Sequence, residues 1–150
     1  MKPPGKRRIA RELAVQFLYQ FDLSGGALEE ALTLFWQAQP ELNESGRQFA
    51  EQLIHGVVER RALIDEKIGK YTENWDLPRI AAVDRNILRL AIYEMLYRDD
   101  IPPVVSINEA VDIAKKFSTR ESGAFVNGIL DRLKADLTRP SRTPAGGGSD

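Results

Sequence analysis

The sequence contains no cysteine, which removes disulfides, thiolate nucleophiles and zinc-thiolate sites together. Its single histidine, His55, cannot form a histidine cluster. Inside a helix-like segment and beside Gly56, it reads as a packed or partly exposed structural side chain rather than a general base. No GxGxxG or Walker-type loop occurs, and the one glycine run, Gly146 to Gly148, falls in the tail. No stretch approaches the roughly 18 consecutive apolar residues of a membrane helix, and the first twenty residues lack both an apolar export region and a small-residue cleavage site. The expectation is a soluble cytoplasmic protein with no membrane contact. Asn43-Glu44-Ser45 matches a glycosylation acceptor, but without an export signal it reads as the start of a helix. Carboxylates are plentiful, yet on amphipathic helices they are solvated or paired, and none stand out as an acid and base couple. These absences predict no catalytic residues, no metal, no cofactor and no enzyme.

Period-two alternation is also missing over any useful length, and there is no internal repeat. What remains is helical. At 150 residues and 43% hydrophobic content the chain fits one domain, and apolar residues recur at helical spacing over 7–22, 27–38, 46–71, 79–97, 103–117 and 121–137. Ser24-Gly25-Gly26, Pro40, Trp75 with Pro78, and Asp99 to Pro103 mark the breaks. The fifth segment has two candidate starts: a proline in the first turn, or a capping box of Ser106 with Glu109. The earlier is favoured, because Val104, Ile107, Val111 and Ala114 then share a face; Asn108, beside it, reads as partly buried. The fold class predicted is all-α, a compact helical domain over 1–138 made of two packed bundles, about 1–73 and 74–138, meeting near Asn74 to Pro78. The proline-, glycine- and serine-rich tail 139–150 is expected to be disordered.

The net charge of −1 hides an asymmetry. Lys2, Lys6, Arg7, Arg8 and Arg11 precede the first acidic residue and form a basic arm running into a helix. On that helix Ile9, Ala10, Leu13, Ala14, Phe17 and Phe21 form the apolar side, and Arg8, Arg11 and Tyr19 are placed on the other. Guanidinium groups with an aromatic ring suit single-stranded RNA; the competing reading is a solvated terminus. In the fourth segment Arg85, Arg89, Tyr93 and Tyr97 recur every four residues as a flank, with Arg89 also able to pair with Asp84 or Glu94. In the last, Val126, Ile129, Leu130, Leu133 and Leu137 form the stripe, and Phe125 sits at its edge, positioned either to stack on a base or to cover a neighbouring helix.

Four strings, RRIARELAVQFLY (7–19), DRNILRLAIYE (84–94), IPPVVSINEAVDIAKKF (101–117) and SGAFVNGILD (122–131), resemble the NusB family of bacterial antitermination factors, in the family's order. The resemblance implies an all-helical RNA-binding protein that pairs with the ribosomal protein NusE, holds boxA RNA and serves the transcription elongation complex in ribosomal RNA synthesis. It carries RNA contact onto Lys6, Arg7, Arg8, Arg11 and Tyr19, onto the aromatic Phe125, and more weakly onto the acidic Glu121. Arg85, Arg89 and Tyr93 are the candidates for the NusE contact, and a second copy of the chain is a candidate occupant of the same Arg- and Tyr-rich surface. One alternative is a helical protein-interaction scaffold without RNA binding. Some RNA cytosine methyltransferases carry a similar helical domain, but this chain has neither room for a cofactor-binding domain nor a cysteine to attack a base.

Overall fold

In the computed structural model the described residues are 5–39, 42–72 and 77–138. They form seven α-helices: α1 (Lys6–Ser24), α2 (Leu28–Ala38), α3 (Glu44–Glu59), α4 (Arg61–Tyr71), α5 (Ala82–Tyr97), α6 (Pro103–Phe117) and α7 (Arg120–Thr138), with a single turn of 3-10 helix at Leu77–Arg79 ahead of α5. Among the described residues there is no strand, so the chain is all-α. None of these helices is long and apolar enough to cross a membrane. The start of the basic arm with Lys2, the breaks at Pro40 and Trp75, most of the expected join at 74–78, and the tail lie outside the described residues.

Local chemistry accounts for the helix ends. α1 stops where Gly25 and Gly26 adopt φ of +70° and +98°, a region open to glycine and strained for most other residues, and the Gly25 N–H closes the last turn on the Phe21 carbonyl at 2.8 Å. Asn43 caps α3 by accepting the Gly46 N–H at 2.7 Å, so the glycosylation-like triplet is a helix start. α6 begins at Pro103, where a missing N–H leaves no bond unmade. The earlier start therefore holds. Ser106 is thereby freed from capping and donates instead to the buried Glu94 carboxylate at 2.7 Å.

Three boundaries or faces depart from expectation. The segment 46–71 is two helices, broken at Arg60 (φ −111°, ψ 20°); the bend lets α3 pack on α1 and α5 while α4 turns to α5 and α7. The fourth segment begins at Ala82 rather than Arg79, because the three residues after Asp76 form the 3-10 turn. On α6 the buried face is Ile107, Ala110, Ile113 and Ala114, with Val104 half exposed and Asn108 exposed, since this helix packs against α5 and α7 at once. Leu137, assigned to the stripe of α7, is exposed.

One continuous core draws on all seven helices, and α5 runs through its middle, packed against α1, α3, α4, α6 and α7. Its approach to α3 is close enough to require glycine: a Cβ at Gly56 would lie 2.1 Å from the Tyr93 ring. His55, next to it, is structural, its ring bridging the Glu51 carbonyl and the Glu29 carboxylate at 2.8 Å each. The bond to Glu29 raises its pKa above the ordinary value despite partial burial.

Candidate nucleic-acid interface

The basic arm divides once it enters α1. Lys6 and Arg7 are exposed, the Arg7 guanidinium lying 4.2 Å over the Phe49 ring. Arg8 turns inward to α6. It donates to both oxygens of Glu109, and to Asp112 at 2.9 Å. Arg11 corrects the sequence reading outright: it is buried at 3% exposure, donating to Glu94 at 2.7 and 2.9 Å, and Glu94 is wholly buried. A guanidinium so placed does not reach a phosphate in solvent. The reason is a second buried face on α1. Val15 and Leu18, four and seven residues after Arg11, are also buried, and α1 packs on α2, α3 and α5, so its apolar stripe is only one of its covered sides.

Arg85 and Arg89 are the second correction. They do not form an exposed flank: Arg89 is 2% exposed, and its guanidinium reaches Asp22 at 3.0 Å and Asp65 at 2.8 and 3.0 Å, not Asp84 or Glu94. Arg85 donates to the same Asp22 oxygen at 2.9 and 3.0 Å, and Asn86 at 3.1 Å; Arg61 takes the other oxygen at 3.1 Å. Burial alone would push the Asp22 carboxyl up, but the hydrogen bonds from Arg85 and Asn86 and the charges of Arg89 and Arg85 hold it below its ordinary value. This cluster ties α1 to α4 and α5. Tyr93 is half-buried, stacked on Tyr97 with ring centroids 5.6 Å apart.

Phe125 does occupy an edge. Half-buried, it packs against the core on one side and on the other lines a surface groove of about 210 Å³ with Arg79, Ile80, Asp84, Glu121 and Ser122. Asp84 is buried there, and desolvation raises its pKa above the ordinary value even though the Ser122 hydroxyl donates to it at 3.0 Å. Tyr19, exposed, lines a second groove of about 430 Å³ with Val15, Gln16, Gln20, Val83 and Phe117. Because Val83 and Asp84 are consecutive, the two grooves flank the start of α5. The fold thus brings Tyr19, Glu121 and Phe125 to one end of α5. It leaves Arg8 about 16 Å away from Tyr19 along α1, at 1.5 Å per helical residue. Arg79, beside Phe125, was missed by sequence reading; its position just before α5 is a signal that only the 3-10 turn makes meaningful.

A family comparison settles what kind of chain this is: residues 8–135 match the model of the NusB family. The chain belongs to the NusB family. Among its curated relatives, the transcription antitermination protein NusB of Methylacidiphilum infernorum is 52% identical over 134 residues, covering 89% of this chain and 93% of the relative. That of Myxococcus xanthus is 46% identical over 139 residues, covering 91% and 99%. Among solved structures, NusB from T. maritima superposes with a TM-score of 0.79 at 40% identity, covering 91% of this chain and 94% of the other. A complex of the antitermination factors NusB and NusE with double-stranded RNA contains a chain that superposes with a TM-score of 0.80 at 28% identity, covering 87% and 97%. The NusB fold therefore extends over nearly all of the described residues.

Proposed function

We propose that this NusB-family chain is a cytoplasmic transcription antitermination factor that holds single-stranded boxA RNA together with the ribosomal protein NusE and presents both to the elongation complex. The observation that carries the RNA half of the reading is the groove in which Phe125 offers a ring beside Arg79: an aromatic face next to a cation is the pairing on which an unpaired base and its phosphate are held. The protein performs no covalent step. Cations neutralise phosphates, the ring stacks, and the helical core keeps the two at fixed separation. The relatives' shared designation as antitermination proteins supports this reading, as does the association of NusB with NusE and RNA in the related complex.

Phe125→Ala is expected to weaken binding of a fluorescein-labelled boxA strand by about 1 to 3 kcal/mol at a temperature where the variant is still folded, alongside a lowered melting temperature from the loss of its core-facing contacts. For the parent chain, the affinity is expected to fall with salt at a slope of about 2 to 4 log units per log unit if roughly three to five phosphates are neutralised. Undiminished affinity with a lowered melting temperature would make Phe125 a packing residue only. A flat salt response alongside intact NusE binding would favour the scaffold reading instead.

The NusE contact is better placed on the Tyr19 groove than on Arg85 and Arg89. Its lining of Val15, Tyr19, Val83 and Phe117 with two glutamines holds no cation for a phosphate. It has the apolar centre and aromatic anchor that protein interfaces favour. Tyr19→Ala is expected to weaken NusE binding by about 2 kcal/mol, the size of an interface hot spot, as read by calorimetry. Full NusE affinity in this variant, or a loss confined to RNA, would return Tyr19 to the RNA surface.

A further inference from the structure

We propose that α2 is a hinged flap against α1, latched to α3 by a proton held between His55 and Glu29, and that the flap loosens as the pH rises above neutral. The device does not rest on RNA binding.

α2 is lightly anchored. Of its eleven residues two, Leu32 and Phe35, are buried, against ten of the sixteen of α5. Isolated helices of this length are marginal in water, and the Ala27 that precedes the first turn has no side chain to cap it. Gly25 and Gly26, both at positive φ, join α2 to α1 through the residue type with the freest backbone. The seam with α1 is also incompletely filled: a groove of about 280 Å³ separates Phe17 and Phe21 from Ala31 and Leu34, with Phe35 in its lining. Phe35 meets Phe17 edge-on with centroids 5.4 Å apart, a contact without polar register.

The polar tie lies on the other side. Among the described residues, the one hydrogen bond from an α2 side chain to another helix joins Glu29 to His55. A looser contact sets the Arg47 guanidinium 5.5 Å from the Trp36 ring. The geometry of His55 fixes its protons. Nδ1 lies 2.8 Å from the Glu51 carbonyl, which only accepts, so Nδ1 carries hydrogen. Nε2 lies 2.8 Å from the Glu29 carboxylate. A neutral ring with its hydrogen on Nδ1 would turn a lone pair toward that carboxylate, whereas imidazolium satisfies both contacts. Loss of the proton therefore makes the latch repulsive.

The surrounding charges favour the proton. α2 supplies Glu29, and α3 supplies Glu51 and Glu59, four residues to either side of His55; Arg47 and Arg60 stand 3.5 and 3.7 Å from these two. At the end of α5, Arg98 reaches Gln52 at 3.3 Å but is paired with Asp100 at 2.9 Å. On α4, Arg61 is held by Asp22 at 3.1 Å. From α1, Arg7 and Arg11 meet α3 at Phe49, about 9 Å back along the helix from His55 at 1.5 Å per residue. The Glu29 hydrogen bond, against partial burial, raises the His55 pKa above its ordinary 6.5. The latch is thus fully present below 6.5 and lost as the pH rises through the raised value.

The test compares the full chain with Glu29→Gln and a control, Glu30→Gln. Both variants remove one carboxylate from the exposed first turn of α2, so the control carries the lost interaction with the helix dipole. As the chain's one histidine, His55 gives the only imidazole signals in an NMR pH titration. Amide hydrogen exchange, corrected for its intrinsic pH dependence, reads the flap. In the parent, α2 amides are expected to exchange ahead of those of α3. Their protection should fall about twofold to fivefold between about pH 6 and about pH 9, the scale of an exposed ion pair. Glu29→Gln should abolish that fall and lower the His55 pKa, and Glu30→Gln should follow the parent in both. Exchange of α2 at the rate of α3 would mean that α2 opens only with the whole fold, which overturns the flap. An α2 protection that ignores pH, or a fall that persists in Glu29→Gln, overturns the latch, as does a His55 pKa that Glu29→Gln leaves unmoved.

Discussion

Arg11→Ala is expected to lower the unfolding free energy by about 3 to 5 kcal/mol, the typical effect of removing one partner from a buried ion pair. The pair is almost fully out of solvent, with Arg11 at 3% and Glu94 at 0% exposure, so screening by water does not reduce the effect. Among the described residues, removing the guanidinium leaves the Glu94 carboxylate with only the Ser106 hydroxyl, at 2.7 Å, and a buried anion with one neutral donor is strongly disfavoured. The companion variant Arg11→Met/Glu94→Leu removes both charges and fills much of the space; it should recover most of the loss. Urea unfolding of the three chains checks this. Equal stability of Arg11→Ala and parent would mean that the buried pair contributes no net stability. The result also bears on function: replacing Arg7, Arg8 and Arg11 together cannot probe RNA binding, because any lost affinity would be mixed with a damaged fold. Arg8 adds to that confusion, since it anchors α1 to α6 through Glu109 and Asp112.

Asp22→Ala should be comparably severe, about 3 to 5 kcal/mol. It withdraws the shared acceptor of Arg85, Arg89, Arg61 and Asn86 and leaves Arg89, at 2% exposure, with Asp65 as its one remaining carboxylate among the described residues. The pH dependence distinguishes this charge cluster from simple packing. The folded pKa of Asp22 lies below its ordinary value of 3.8, so its stabilisation is fully present above that value and is lost as the pH falls through the lower, folded pKa. Parent and variant stabilities should therefore stand apart at neutral pH and converge in strong acid. A constant gap down to acid pH would assign the effect to lost contacts rather than to charge.

Helix positions were legible because the signals are local. Gly25 and Gly26 end α1, Pro103 opens α6, and the apolar stripe of α7 through Val126, Ile129, Leu130 and Leu133 is buried as its spacing predicts. The edge position of Phe125 was legible for the same reason. The break at Arg60 was not, because no proline or glycine marks it and the bend serves the separate partners of α3 and α4. A clue to the burial of Arg11 was present in Val15 and Leu18, which give α1 a second apolar side. A similar clue attended Arg89, in the nearly unbroken apolar run of Ile87, Leu88, Leu90, Ala91 and Ile92, as expected of a helix covered all round.

Composition, periodicity and punctuation thus determined by themselves that this chain is helical, where most helices begin and end, and that it carries a cation-rich leader and an edge-placed ring. Those properties arise from residues a few positions apart. Only the tertiary structure decided which cations face solvent, because Arg11 meets Glu94 across 83 residues and Arg89 meets Asp22 across 67. Charge identity is written in one residue. Whether that charge is available depends on a carboxylate brought to it by packing, and this is why Lys6 and Arg7 stay exposed while Arg11 and Arg89 hold the core together.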